Sequence, residues 1–306
     1  MDAWLTIINP VAGNGKAGKD WPKIESLLKQ ARFDFVPHKT EHQGHAAELV
    51  QKGLKQGYRK FLCVGGDGTL HHMVNGIMEQ DDVASTEITL AMISVGTGND
   101  WIKTYGIPKD YKSAIRSIKL GKPFLQDVGI ARYNQGKDHR FFVNFAGVGF
   151  DGEVVKKTGK KFGRLSYLWG LFTSLLGYKT PSLKLGFGEA EREGKYFMVI
   201  AGIGQYGGGG MRLMPDAITN DGLLDITMAA DLGKMEVIGN LGKLFNGAFT
   251  GHPKVEQVKS KDFKVASQQG TAYMEADGEF IGEGPFDIKI IPSALRVLVP
   301  DHNFKD

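Results

Sequence analysis

Up to about Lys122, short apolar runs alternate with stretches in which apolar residues recur at helical spacing. The apolar runs predict buried strands, and the second pattern predicts amphipathic helices. In chain order the predicted elements are Trp4 to Ile8, Trp21 to Ala31, Phe33 to Pro37, His45 to Gln56, Lys60 to Val64, Leu70 to Glu79, Ile88 to Ser94 and Tyr111 to Leu120. Strands that alternate with helices in this way predict βαβ units around a parallel sheet.

The pattern changes after Phe124. Strand-like stretches rich in glycine follow, such as "FFVNFAGVGFDG" and "YFMVIAGIGQYGGGG", and they predict a mainly antiparallel β domain. Helical patterns interrupt them from Glu153 to Tyr178 and from Lys234 to Asn246. We therefore predict an α/β domain over residues 1–124 and a β-rich domain over residues 125–292. A last strand, in residues 293–306, is expected to return to the first domain.

Composition narrows the class of protein only a little. The chain of 306 residues can build sizeable cores. Because Cys63 is its one cysteine, an intramolecular disulfide and a cysteine-based zinc cluster are excluded, and a reducing cytoplasm is the expected location. Lys and Arg number 38 against 34 Asp and Glu. This excess is too small to indicate nucleic acid, although it is compatible with an anionic membrane surface.

No segment is predicted to span a membrane. The chain begins "MDAWLTIINP", with an acid where a signal peptide carries basic residues, and this stretch is predicted to be a strand. The longest apolar stretch, Leu165 to Tyr178, has 14 residues, fewer than the roughly 20 that a spanning helix needs.

Basic residues stand just before that stretch, at Lys156, Lys157, Lys160, Lys161 and Arg164. They could dock on anionic lipid, or they could be a solvated face while the leucines of the stretch pack into the core. We favour core packing for most leucines and a docking patch for the lysines, which predicts peripheral membrane contact.

Three glycine-bearing loops follow predicted strands: "NPVAGNGKAG", "GGDGT" and "GTGND". In parallel sheets ligands bind beyond the carboxyl ends of the strands, so these loops predict one site. The first loop could surround a phosphate with backbone N–H groups, with Lys16 as a point charge, or it could be only a flexible connection. It is not a P-loop, because Ala17 follows Lys16 where that motif has Ser or Thr.

The "GGDGT" turn is more informative. Gly65 and Gly66 allow a ligand to approach the backbone, Asp67 can hold magnesium, and Thr69 offers a hydroxyl at a helix start. The alternative is an Asp-Gly turn in which Thr69 only caps the helix. A bare turn does not need two preceding glycines, so the residues favour phosphate binding.

The segments "NPVAGNGKAG", "GGDGTL", "GTGND", "NFAGVGFDGEV", "GGGMRLMPDAITNDGLLD" and "EADGE" occur in this order along nearly the whole chain. In this the chain resembles the catalytic domain of diacylglycerol kinase-like lipid kinases, which include soluble bacterial members and the sphingosine and ceramide kinases. The GGDG turn alone is shared with NAD kinases and phosphofructokinases, so it marks only the type of fold. Two later segments, Pro215 to Asp225 and Asp277 to Glu279, point to lipid kinases.

The resemblance implies an ATP- and Mg²⁺-dependent kinase that transfers the γ-phosphate to the hydroxyl of a lipid. The expected acceptor is diacylglycerol or a related glycerolipid. The nucleotide would lie between the domains. The positions that match the family's nucleotide site are Asn9, Pro10, Gly13, Lys16, Thr40, Gly65, Gly66, Asp67, Gly68, Thr69, Leu70, His71, Thr97 and Asn99.

The resemblance also implies the remaining site residues. Asp67, Asp100 and Asp127 match the magnesium network, and Glu279 matches the general base that takes the proton of the lipid hydroxyl. A carboxylate is ionised at neutral pH and can accept that proton. A second, structural Mg²⁺ or Ca²⁺ would be held by Ile218, Asp221 and Leu223, since oxygen ligands on a bent loop suit hard cations.

Without the resemblance, the residues support simpler interpretations. The segment "YMEADGEFIG" predicts only a hairpin with a two-residue Asp-Gly turn. Asp127 would be an acid on an edge strand, and "TNDG" would be a solvated turn.

The chain departs from the family at two places. His71 and His72 stand where most relatives have Asn and Glu, and Asn14 stands where some bacterial members have a lysine, for which Lys16 could compensate. Adjacent histidines are more often helix surface than a zinc site.

Two other functions therefore stay open: a kinase of a soluble substrate like NAD, and a non-catalytic lipid or nucleotide sensor. The expected partners are ATP and a membrane lipid, without nucleic acid, and a homodimer is compatible with the resemblance.

Overall fold

The computed structural model describes residues 2–96, 98–158 and 173–301. The chain forms two compact units, which we call unit 1 (residues 1–126 and 293–306) and unit 2 (residues 127–292). Two strands, β5 (Lys122–Tyr133) and β15 (Phe286–Val299), contribute residues to both units. Within the described residues, no helix is both long and apolar enough to cross a bilayer.

Unit 1 is an α/β domain, as predicted. Its sheet has the order β2-β1-β3-β4, followed by the end of β15, and every one of these pairings is parallel. Its elements are β1 (Trp4–Ile8), α1 (Lys16–Gln30), β2 (Phe35–Lys39), α2 (His45–Lys55), β3 (Lys60–Gly65), α3 (Asp67–Met78), β4 (Thr89–Ser94), α4 (Asp100–Thr104) and α5 (Tyr111–Leu120).

Helices cover both faces of this sheet, because successive strand residues point to opposite sides. Ile8 and Leu62 pack in one buried cluster with Ile24 of α1 and Ile115 of α5. On the other face Gly53 of α2 lies so close to Leu5 that a Cβ there would come within 2.5 Å of its Cδ2. Both faces are therefore apolar, which explains the continuous apolar runs of the central strands.

Unit 2 consists mainly of antiparallel strands, again as predicted. The strand order β14-β13-β7-β9-β10-β11 forms one part, and β9-β8-β12-β15 forms the other. Its elements are β6 (Asp138–Phe142), β7 (Phe145–Gly149), α6 (Phe150–Thr158), β8 (Ser182–Phe187), β9 (Ala190–Gly202), β10 (Leu224–Ala230), α7 (Lys234–Asn246), β11 (Val255–Ser260), β12 (Asp262–Gln269), β13 (Tyr273–Ala276) and β14 (Glu279–Glu283).

Strand β9 joins the two parts of unit 2. Its first half, residues 190–195, pairs with β8, and its second half pairs with β7 and β10. Gly194, at φ 159, lies where the partners change. Phe142, Val199 and Phe263 belong to the buried cluster between the strands.

Several predicted bounds need correction. Helix α1 begins at Lys16 and not at Trp21, and it accommodates Pro22 in its interior. Helix α3 begins at Asp67 and not at Leu70, so the acid of the glycine turn is already helical. Of the helical interval predicted from Glu153 to Tyr178, residues 159–172 lie outside the described residues, and with them most of the predicted basic patch.

Candidate active site

The glycine loops of unit 1 meet at the carboxyl ends of its strands. Asn9, which follows β1, donates from Nδ2 to Thr69 Oγ1 at 2.9 Å. The backbone N–H of Thr40, which follows β2, donates to the Ile8 carbonyl at 2.8 Å, and that of Val95, which follows β4, donates to the Gly65 carbonyl at 2.7 Å. Four strand ends are thus connected directly, and we call these loops the glycine rim.

Glycine is required at the closest contacts of the rim. A Cβ on Gly65 would lie 2.5 Å from Thr69 Oγ1, and one on Gly96 would lie 3.0 Å from Gly66 Cα. Gly13 has φ 61, in the left-handed region that favours glycine, and a Cβ there would lie 3.4 Å from the Val95 carbonyl oxygen. The loops after β1, β3 and β4 therefore pack closely on one another. Glycine-rich loops at the junction of a strand and a helix can bind phosphate through backbone N–H groups.

Asp67 and Asp100 come together at the rim. The Asp67 carboxylate accepts hydrogen bonds from the backbone N–H groups of Asp100 at 3.1 Å and Trp101 at 3.3 Å. The Asp100 carboxylate, only 6% exposed, contacts Lys103 Nζ at 2.9 Å. Two carboxylates at the starts of two helices are a donor set that fits a hard cation, and helix N-termini stabilise their charge.

Several other residues that were predicted to bind the nucleotide are buried or are engaged in contacts within the protein. The side chains of Leu70 and His71 have no exposed surface, so neither can contact a nucleotide, and the prediction of a surface position is wrong for His71. Asn99 donates from Nδ2 to the Gly96 carbonyl at 2.9 Å. Pro10 packs against Gly18, and Thr97 lies outside the described residues.

The ammonium group of Lys16 is engaged by side chains of α1 and α5. Its Nζ forms an ion pair with Asp20 and lies 2.9 Å from the Tyr111 hydroxyl. The hydrogen bond that Lys16 donates to the Asp20 carboxylate raises the pKa of Lys16 above its usual range. Its predicted role as a phosphate-binding cation would require exchange of these partners.

In unit 2, Asp127 holds the loop that was predicted to bind a second cation. Its carboxylate, completely buried, accepts the Gly222 N–H at 2.7 Å, and its own N–H donates to the Thr219 carbonyl at 2.8 Å. Sequence reasoning assigned Asp127 to the magnesium network and did not find this contact.

A lysine lies beside the predicted second cation site. Lys259 Nζ is 2.9 Å from Asp221 and 3.2 Å from Asp225. Burial raises the pKa of Asp225, while the charge of Lys259 opposes that rise. The carboxylates have the right chemistry for Mg²⁺ or Ca²⁺, but a cation at Asp221 would compete with the ammonium group.

The turn that carries Glu279 is firmly held. Strands β13 and β14 pair at Ala276 and Glu279, and Asp277 and Gly278 between them have φ values of 49° and 84°, which confirms the predicted two-residue turn. The Asp277 carboxylate accepts the N–H groups of Val143 at 2.9 Å, Asn144 at 2.9 Å and Phe145 at 3.2 Å. Glu279 itself is half-buried at the start of β14.

Comparison with known proteins decides the family. Residues 3–130 match the profile described as "Diacylglycerol kinase catalytic domain", and residues 145–299 match "YegS C-terminal NAD kinase beta sandwich-like domain". The chain belongs to the diacylglycerol kinase family.

Individual relatives agree along their whole length. A protein named diacylglycerol kinase from Staphylococcus saprophyticus is 29% identical over 301 residues, which cover 96% of this chain and 94% of that one. One of the same name from Mycobacterium tuberculosis is 28% identical over 301 residues, with 97% and 94% covered. A crystal structure of a candidate diacylglycerol kinase from Bacillus anthracis superposes with a TM-score of 0.78 at 25% identity and covers 99% of both chains.

Membership of the diacylglycerol kinase family makes the protein a lipid kinase, a phosphotransferase with an alcohol acceptor. The resemblance seen in the sequence is thereby confirmed. Two features of this diacylglycerol kinase family member had no signal in the sequence: the Lys259 contacts with the loop around Asp221, and the three N–H groups that bind Asp277.

Proposed function

We propose that the protein transfers the γ-phosphate of ATP, with Mg²⁺, to the hydroxyl of diacylglycerol or a related glycerolipid. The observation that supports a lipid acceptor is an apolar pocket in unit 2, under helix α7. Among its lining residues only Asp151 and Asn240 are polar; the apolar ones include Phe150, Phe197, Met211, Leu213, Leu241 and Phe249. The pocket has a volume of about 60 Å³, so the end of an acyl chain could enter it. A soluble, phosphate-bearing acceptor would gain nothing from such a lining.

In this proposal the glycine rim binds the phosphates through its backbone N–H groups, and Asp67 and Asp100 would hold the metal. Mg²⁺ would supply neutralisation of the charge on the phosphates. Glu279 accepts the proton of the lipid hydroxyl while the oxygen bonds to the γ-phosphorus and the bond from that phosphorus to the leaving ADP oxygen breaks. Since little covalent chemistry falls to the protein, correct positioning of the Glu279 carboxylate carries much of its contribution.

The experiment is a kinase assay with labelled ATP, Mg²⁺ and mixed micelles that contain diacylglycerol, phosphatidylglycerol, a sphingoid base or a polyprenol, with NAD as a soluble acceptor. We expect phosphorylation of a glycerolipid. Asp67→Ala and Glu279→Gln should each lower kcat by at least about 10²-fold, because removing a positioned acid or base costs this much. Glu283→Gln, an exposed acid on the same strand as Glu279, is the matched control and should stay near wild type. Phosphorylation of NAD alone would contradict the proposal.

We propose further that helix α7 makes the membrane contact. Its residues Val237, Leu241 and Leu244 line the apolar pocket, while Met235 is 78% exposed and Ile238 is 39% exposed. A helix that covers an apolar pocket and also exposes apolar side chains suits the interface of a bilayer. The two described lysines of the predicted basic patch are engaged elsewhere, Lys156 over the Tyr273 ring and Lys157 with Glu153.

This contact is tested by sedimentation with anionic vesicles. The double variant Met235→Ser/Ile238→Ser should bind vesicles several-fold more weakly than the wild type and lose activity on vesicle lipid while retaining it on a short-chain, water-soluble diacylglycerol. Leu120→Ser, which changes an exposed leucine on α5, is the control. Equal vesicle binding by all three proteins would exclude α7 as the contact.

A further inference from the structure

A second acid lies two residues before the Asp277-Gly278 turn, on the inner side of the hairpin. Glu275 of β13 has no exposed surface. Its Oε2 accepts the Gly278 N–H at 2.5 Å, so this carboxyl group closes the turn from within. Asp277 fixes the same turn from outside, through the three N–H groups described above.

The other oxygen of Glu275 faces the carboxyl group of Asp151. Gly147 of β7, which is opposite Glu275 in register, leaves the space that both groups fill: a Cβ there would lie 2.5 Å from Asp151 Oδ2 and 3.0 Å from Glu275 Oε1. Asp151, on α6, is itself only 7% exposed. Two carboxyl groups therefore approach each other in a buried place, and both cannot be ionised at low cost.

Among the described residues, neither strand that pairs with β13 places a basic group opposite Glu275. The strands on either side present Gly147 and Phe280 at this register. On α6, Glu153 is paired with Lys157, and Lys156 lies over Tyr273. Burial first, and then the charge of Asp151, raise the pKa of Glu275 well above its usual range, and Asp277 adds to the rise.

We infer that Glu275 is a positioning residue for Glu279: as a neutral acid it donates its proton to Asp151 and accepts the Gly278 N–H, and so it fixes the turn from which the general base projects. One oxygen of a carboxylic acid is a donor and the other an acceptor, which matches the two partners. The inference rests on the proposed function only in the role it gives to Glu279. Asp151 and Glu275 share the proton, and loss of that proton would place two adjacent charges under the turn.

Two variants separate this role from simple packing. Glu275→Gln keeps a donor and an acceptor of the same shape, whereas Glu275→Ala removes both. We expect Glu275→Gln to keep kcat within about twofold of wild type at pH 7, and Glu275→Ala to lose at least about tenfold (about 1.4 kcal/mol) in kcat with an unchanged KM for ATP. A normal kcat for Glu275→Ala, or an equal loss in both variants, would overturn the inference.

Hydrogen exchange tests, without reference to activity, whether the Glu275 carboxyl group holds the Asp277-Gly278 turn, an arrangement that we call the clamp. Amide exchange in residues 276–280 should be at least tenfold faster in Glu275→Ala and close to wild type in Glu275→Gln. If the wild type phosphorylates no lipid but this pattern appears, the clamp is right and the role of Glu279 is wrong. Unchanged exchange in Glu275→Ala rejects the clamp, whatever the activity.

Thermal unfolding at several pH values tests whether Glu275 is protonated in the folded protein. Because the pKa of Glu275 is raised in the folded protein, its contribution to stability is complete below the unfolded pKa and is lost as the pH rises toward the folded one. Melting temperature should therefore fall more steeply between about pH 5 and pH 9 in the wild type than in Glu275→Gln, which has no proton to lose. Parallel curves would show that Glu275 is ionised and would overturn the inference.

Discussion

The packing of the glycine rim predicts opposite effects for two glycines of one turn. In Gly65→Ala the new methyl group would lie 2.5 Å from Thr69 Oγ1 and 2.8 Å from Thr69 Cβ. Thr69 cannot move freely, because it is 4% exposed and its hydroxyl accepts the Asn9 hydrogen bond. Forcing an extra methyl group into a packed site costs about 1–3 kcal/mol, and loss of the hydrogen bond adds about 1 kcal/mol.

Gly68, three residues further along, is the matched control. A Cβ there meets nothing within 4 Å, and the residue is exposed in the first turn of α3. Replacing a helical glycine by alanine stabilises by about 0.5–1 kcal/mol. The two alanine variants should therefore differ by about 2.5–5 kcal/mol in free energy of unfolding, although each adds the same single methyl group.

The assay is urea unfolding followed by tryptophan fluorescence, since Trp4, Trp21 and Trp101 all report on unit 1. With a slope of about 2 kcal/mol per molar urea, the midpoints of the two variants should be separated by at least about 1 M, with Gly65→Ala below the wild type and Gly68→Ala at or above it. Equal midpoints for the two variants would refute the packing of the rim described here.

Three further changes follow from single contacts. Lys259→Met should raise the Ca²⁺ or Mg²⁺ affinity of the Asp221 loop by about 30-fold, since a unit charge about 4 Å from a divalent ion costs about 2 kcal/mol even in water, and titration calorimetry would detect it; equal affinity in both proteins would show that Lys259 does not compete with a cation. Cys63 is buried and its pKa is raised by burial, so its reaction with a disulfide reagent at pH 8 should be at least about 100-fold slower in buffer than in urea; a fast native reaction would contradict its burial. Phe142→Ala should destabilise unit 2 by about 3–5 kcal/mol in urea, because Phe142 has no exposed surface, and a loss below 1 kcal/mol would show that the core readily closes around it.

The fold class could be predicted because its signal is local. Alternating apolar runs and helical patterns gave the parallel unit, and the bounds of β1, α5 and α7 were predicted as observed. The predicted start of α1 at Trp21 was wrong because the first residues of the helix, Lys16 to Asp20, include a single apolar residue and give no helical pattern. The helix begins earlier, after Gly15 in the left-handed conformation.

The contacts of the site were harder to predict because they join residues far apart in the chain. Asp67 binds N–H groups more than thirty residues away, and Lys259 reaches Asp221 across 38 residues. His71 was misplaced for a related reason: α3 is covered by α2, and Gly76 packs against the Ala47 backbone. Its Nε2 lies 3.4 Å from Nδ2 of Asn75, which is one helical turn further along α3 and is also buried.

Strand β15 has a consequence for how the protein is made. Arg296 and Val297, near the end of the chain, pair with Thr89 and Leu90 of β4. During translation β4 therefore has one open edge until β15, which is made after most of unit 2, has left the exit tunnel. Newly made chains thus pass through a stage with a bare strand edge, the kind of surface that chaperones cover and that promotes aggregation.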